Sequence, residues 1–117
     1  IDEPLLFATG SAELNPELQE VLDLGVVVMQ VFPQVTMQVV GHTDEVGSTE
    51  LNQELSEARA QSVVEYMVER GIAPDRFDAF GRGELEPVAD NDTEDGRAEN
   101  RRIDVALLDL LVGAPAE

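Results

Sequence analysis

Two opposite charges in this chain sit where a loop meets a helix. Asp44 lies in the glycine-bracketed segment Gly41-His42-Thr43-Asp44-Glu45-Val46-Gly47, and Arg59 is the first basic residue of the chain. Asn52, Ser56 and Arg59 follow one another at four- and three-residue steps, which places them on one face of a helix. Long side chains on a helix lean toward its N-terminus, so Asp44, Asn52 and Arg59 can line one cleft with opposite charges at its two ends. Such a cleft suits a zwitterion: the carboxylate takes Arg59 in a fork and the ammonium takes Asp44. The same residues allow a plain Asp44–Arg59 ion pair that pins the loop, and on spacing alone both readings stand. Asn100-Arg101-Arg102 adds two cations that point to opposite faces at a strand entry. Either one of them faces the cleft or both offset the surrounding acid.

Other chemistries find less support. His42 is the single histidine and there is no cysteine, so a catalytic triad, a thiol nucleophile or a multi-histidine metal site is hard to build. The plain reading of His42 is a strand-end residue with a local hydrogen bond. The run Asp90-Asn91-Asp92-Thr93-Glu94-Asp95-Gly96 resembles a calcium loop only in its acid content. Asp95 stands where that loop needs glycine, and Arg101 where it needs glutamate. Gly81-Arg82-Gly83-Glu84-Leu85-Glu86 lacks the last glycine of a dinucleotide fingerprint and follows a strand without opening a helix. No catalytic residue, metal or cofactor is therefore expected.

The elements that must position these residues can be read from pattern. Leu5-Leu6-Phe7 reads as a short strand and Ala8–Leu14 as a loop. Asn15-Pro16-Glu17 is a helix start, with Asn as cap, Pro in the first turn and an acid beside it. Leu18, Val21, Leu22, Gly25, Val28, Met29 and Phe32 keep helical spacing until Pro33. Val35–Val40 suits an interior strand. A long helix follows from about Thr49 to Arg70, with an expected apolar stripe of Leu51, Leu55, Ala58, Ser62 and Tyr66, flanked by Val63 and Met67. Gly71 stands at its C-terminal stop. Phe77–Phe80 is a third strand, Glu84–Gly96 a long acidic loop and Ile103–Leu108 a last strand. The order is β-α-β-α-β-β, a sheet with two main helices on one face. Residues 1–117 form a single domain with its core over about 5–108, and residues 109–117 are a tail or short helix.

The chain has 117 residues, of which 43% are hydrophobic but only 4% aromatic, so the core is aliphatic. Twenty-five acids face seven Arg and no Lys, for a net charge of −18. A protein of that charge lacks the basic footprint of a nucleic-acid binder or of a polybasic membrane surface. It contains no apolar run of membrane-spanning length, and its start at Ile1 is that of an excised domain.

Several spaced motifs run together through the chain. They are Phe7-x-x-x-Ser11-x-x-Leu14, Gly41-His42-Thr43-Asp44-x-x-Gly47, Asn52-x-x-Leu55-Ser56-x-x-Arg59-Ala60-x-x-Val63, Gly71, Arg76, Gly81-x-Gly83-Glu84-x-x-Pro87 and Gly96-Arg97-x-x-Asn100-Arg101-Arg102-Ile103. In this order they resemble the OmpA-like C-terminal domain, shared with peptidoglycan-associated lipoprotein and the MotB stator proteins, over Leu5 to Leu108. The resemblance implies an α+β fold with a mixed four-stranded sheet. It also implies noncovalent binding of peptidoglycan through the meso-diaminopimelate of the stem peptide, without enzymatic activity. Asp44 and Arg59 carry over as ligand residues, with Thr43, Asn52, Leu55 and Arg101 in support and backbone around Ala8–Ser11 as another wall. The implied setting is the periplasm or cell envelope, with the parent chain anchored in a membrane outside this segment. Repulsion from an acidic wall should slow association at low salt. The rival reading is an assembly module without ligand binding, a homodimer for instance, working through the apolar Leu24–Phe32 face.

Overall fold

The computed structural model describes Phe7 and residues 10–109. Helix α1 (Pro16–Val31) starts where the sequence places it: Asn15 Oδ1 accepts the Leu18 N–H at 2.7 Å and Pro16 opens the first turn. Strand β1 (Thr36–Gly41) follows, then α2 (Thr49–Glu69), capped by Ser48. Gly71 adopts φ 101° beyond the end of α2, in the left-handed region that stops a helix. A 3-10 turn (Pro74–Arg76) leads into β2 (Phe77–Gly81), a short helix α3 (Glu94–Asn100) and β3 (Ile103–Leu108).

The sheet is mixed, in the order β2-β1-β3. The central strand β1 pairs parallel with β2, Met37 opposite Phe77, and antiparallel with β3, Val39 opposite Val105. Inward alternation along β1 buries Met37 and Val39 against Leu22, Val26 and Met29 of α1 and Val63 and Met67 of α2. Gly25 lets α1 approach the ends of Met37 and Met67 closely.

Three expectations need correction. The sheet has three strands among the described residues, not four. Leu5 and Leu6 of the expected first strand lie outside them, and Phe7 is in no strand. Its N–H donates to the Arg101 carbonyl at 2.7 Å, and Arg101 Nε donates back to its carbonyl at 2.9 Å. Second, the acidic loop ends in α3, because Thr93 Oγ1 accepts the Gly96 N–H at 3.0 Å and Glu94 and Asp95 favour a first helical turn. The buried Asn100 side chain then holds the loop, accepting from Val88 and Ala89 and donating to the Ala89 carbonyl.

Third, the first half of α2 buries a different face from the expected stripe. Leu51 and Ala58 are exposed, and Asn52, Ser56, Arg59 and Ala60 turn inward instead, while in the second half the expected Tyr66 and its neighbours Val63 and Met67 are buried together with Val64. The cause lies beneath the helix. A Cβ at Gly41 would run into the Ser56 carbonyl, and one at Gly81 into Ser56 Oγ and the Glu57 amide. Backbone approaches backbone there with room for Ser56 but not for leucine, and the polar side chains are satisfied by carbonyls and loop amides. Along α1, Leu24, Val27 and Val31 are exposed, and so is its cap residue Phe32, which the helical spacing had grouped with the inward residues. Leu107 packs against the core, and residues 110–117 of the expected tail lie outside the described residues.

Candidate functional site

The loop after β1 is fixed from several sides. The His42 N–H donates to the Arg102 carbonyl and the Thr43 N–H to the Gly83 carbonyl, both at 2.9 Å. Asp44 Oδ1 accepts the Val46 N–H at 3.0 Å, an Asx turn that aims the carboxylate. Gly47 takes φ 94°, the left-handed step that delivers the chain to the Ser48 cap. Asn52 Nδ2 reaches back from α2 to the Asp44 carbonyl at 3.3 Å and to Glu84 Oε1 at 2.7 Å.

Arg59 is wholly buried (0% exposed). Its Nε donates to the Ser11 carbonyl at 2.8 Å and its Nη1 to the His42 carbonyl at 2.7 Å, while the guanidinium carbon lies 4.8 Å from the centre of the Phe7 ring. Burial pushes its pKa down to about 10, the nearby Asp44 carboxylate opposes that shift and Arg101 adds to it. Arg59 therefore stays charged at neutral pH. The buried ion pair on Asp44 is formed with Arg101, whose Nη1 lies 3.1 Å from Asp44 Oδ2 and whose Nη2 donates to Glu94 Oε2 at 3.1 Å.

These groups line one cleft of about 300 Å³, formed by Gly10, Thr43, Asp44, Val46, Gly47, Leu51, Asn52, Leu55, Arg59 and Arg101. All six residues singled out from the sequence, Asp44, Arg59, Thr43, Asn52, Leu55 and Arg101, meet here. Of the two consecutive arginines, Arg101 faces the cleft, while Arg102 donates to Asp104 and to the Glu86 carbonyl. Of the expected N-terminal wall, Gly10 lines the cleft, Ser11 holds Arg59, and Ala8 and Thr9 lie outside the described residues. The two guanidiniums and one carboxylate of the lining are braced from outside it by Glu94 on Arg101 and Glu84 on Asn52, so both signs of charge are present in and around one cleft.

Sequence reasoning missed Val46, Leu51 and the two bracing glutamates. Glu84 stands in the Gly81-x-Gly83-Glu84 motif, and Leu51 was assigned to the core stripe. Glu94 carries no local signal for its bond to Arg101. Among the described residues, no group of three or more His, Asp or Glu side chains converges to hold a metal.

His42 is not part of the cleft lining, and its buried side chain places Nε2 2.9 Å from Asp104 Oδ2. Burial and the Arg102 cation lower its pKa, and Asp104 opposes them. A base whose folded pKa lies below its unfolded value of 6.5 makes the folded state bind fewer protons. Stability from this group is then intact above about 6.5 and is lost as pH falls below it. In thermal melts between pH 7.5 and 5, His42→Gln should lose less stability on acidification than the parent. Identical pH slopes for the two would contradict the assignment.

Comparison with known proteins places this geometry. A model described as OmpA family matches residues 6–101. Outer membrane protein A of Bordetella avium is 38% identical over 102 residues, covering 87% of this chain and 53% of the relative. The peptidoglycan-binding protein ArfA of Mycobacterium bovis is 36% identical over 104 residues, covering 89% of this chain and 32% of the relative. The chain thus spans about half or less of the length of these curated relatives. The crystal structure of the peptidoglycan-associated lipoprotein from Burkholderia pseudomallei superposes with a TM-score of 0.84 at 28% identity, covering 88% of this chain and 87% of that one. The family match over residues 6–101, with these sequence and structural likenesses, shows that the chain belongs to the OmpA family.

Proposed function

We propose that this domain binds peptidoglycan noncovalently and anchors a cell-envelope protein to the wall. One observation carries the reading: Asp44, Arg59 and Arg101 converge, buried, on the floor of a single cleft. In support, one relative is named for peptidoglycan binding and one structural neighbour for peptidoglycan association. The ligand group is the zwitterionic end of meso-diaminopimelate. Its ammonium takes Asp44, and its carboxylate takes the Arg59 guanidinium, which two backbone carbonyls hold in place. Thr43 and Asn52 keep the loop in register, Leu55 gives an apolar side wall, and Arg101 orients Asp44. The module acts as a tether and not as an enzyme, in the periplasm, with the membrane anchor of its parent outside this segment.

The test is a pull-down on purified peptidoglycan sacculi. Asp44→Ala should release most of the bound protein, and Asp44→Asn should release it nearly as fully, since the neutral amide has one acceptor oxygen and no charge to offer an ammonium. A loss of about 2–4 kcal/mol is expected when one charge of a buried pair is removed. Unchanged retention of both variants would refute the site while leaving the fold in place.

A further inference from the structure

The charges of the cleft lie on its floor, and its mouth is apolar. Val46 and Leu51 both line it, yet they are 55% and 63% exposed. Scattered apolar side chains on a surface need no explanation, but these two share one opening with the half-buried Leu55. They are also fixed to the charged floor. The Val46 N–H is held by the same Asp44 carboxylate that faces the ligand, at 3.0 Å, and the Leu51 N–H by Ser48 Oγ at 3.1 Å in the first turn of α2.

We propose that Val46 and Leu51 form a second subsite, which takes the short aliphatic residue bonded to the zwitterionic one, so that the cleft reads a dipeptide unit and not a single amino acid. This rests on the reading of the cleft as a wall-peptide site. The chemistry follows from desolvation. Free meso-diaminopimelate carries a second ammonium and a second carboxylate at its far end. With one end on the floor, those charges meet the apolar mouth and are poorly solvated there. Within a stem peptide the same atoms are amides, and the neighbouring D-alanine offers a methyl group to the valine and leucine side chains. Covering about 50–60 Å² of apolar surface corresponds to roughly a tenfold gain in affinity.

The test is calorimetric titration with two ligands, free meso-diaminopimelate and the stem tetrapeptide ending in D-alanine amide, which carries no charge on its last residue. The parent chain should bind the tetrapeptide at least tenfold more tightly. Val46→Ser/Leu51→Ser should remove that margin from both sides, weakening the tetrapeptide while the free diamino acid, whose far charges no longer meet apolar surface, binds at least as tightly as to the parent. Val46→Ile/Leu51→Met should keep it. A margin that persists in the serine variant, or that is absent from the parent, overturns the subsite while the floor stands. If neither ligand binds the parent, the wall-peptide reading fails and the subsite with it.

Discussion

Arg59→Ala should abolish retention on peptidoglycan and lower stability by about 3–5 kcal/mol, the range for removing one member of a buried charge network. Both effects share a cause. The side chain is wholly buried, and its removal leaves the Ser11 and His42 carbonyls without their donor, which costs the desolvation of each. It also leaves the Asp44–Arg101 pair without a second cation nearby. Arg59→Lys separates binding from folding. It keeps the positive charge but loses the fork that meets a carboxylate, and its ammonium cannot hold two divergent carbonyls in the same way. The lysine variant should therefore fold, melt below the parent, and bind wall fragments about 10- to 100-fold more weakly, an order consistent with one charge-assisted pair. Denaturant titration gives the stability difference and calorimetry the affinity difference. An alanine variant that folds and binds like the parent would show that Arg59 is neither a ligand group nor a strut.

Gly41→Ala should be strongly destabilising although it adds a single methyl. Its added carbon would fall inside the Ser56 carbonyl, which is backbone and cannot turn aside. Helix α2 would have to lift from the end of β1, carrying Asn52 and Arg59 away from the Asp44 loop. Overpacking against rigid atoms costs about 3 kcal/mol or more. For a domain of this size that is a fall in Tm of about 12 °C or more. Gly25→Ala is the matched control. Its carbon would meet only the mobile tips of Met37 and Met67, and alanine is the better helix former, so the change should be within about 1 kcal/mol of neutral. Similar melting of the two alanine variants would contradict the close approach of α2 to the strand ends.

Much of this architecture could be read from the chain. Asn15-Pro16, Ser48 and Gly71 mark helix ends by local chemistry, and the structure places those ends within a residue or so of the pattern. The inner face of α2 could not be read in that way. Hydrophobic spacing assumes that a buried helix face is apolar, and here the first half of the buried face is Asn52, Ser56 and Arg59. Their partners are carbonyls from Ser11 and His42 and an amide from Gly83, far apart in sequence. Tertiary hydrogen bonding therefore decided the face against hydropathy.

The site shows the same division. Spacing put Asp44, Asn52 and Arg59 together, and the motif match added Thr43, Leu55 and Arg101. The pairing was not legible. Asp44 forms its buried ion pair with Arg101, 57 positions along the chain, an interaction that depends on α3 delivering the chain back to the head of β3. Helix α3 itself was hidden in an acidic run whose composition points to a solvated loop. Thr93 and the first-turn acids Glu94 and Asp95 are its local signals, and Asn100 holds it through contacts that exist only once the loop has folded back.

The central claim is that the cleft recognises a zwitterion with both its charges. Its most direct test is an NMR titration of the domain with meso-diaminopimelate, run beside L-lysine, which keeps the side-chain ammonium but lacks the second carboxylate. The account predicts saturable shifts at Asp44, Asn52 and Arg59 with diaminopimelate and little response to lysine. Equal responses to the two, or a well-dispersed spectrum that answers neither, would contradict it.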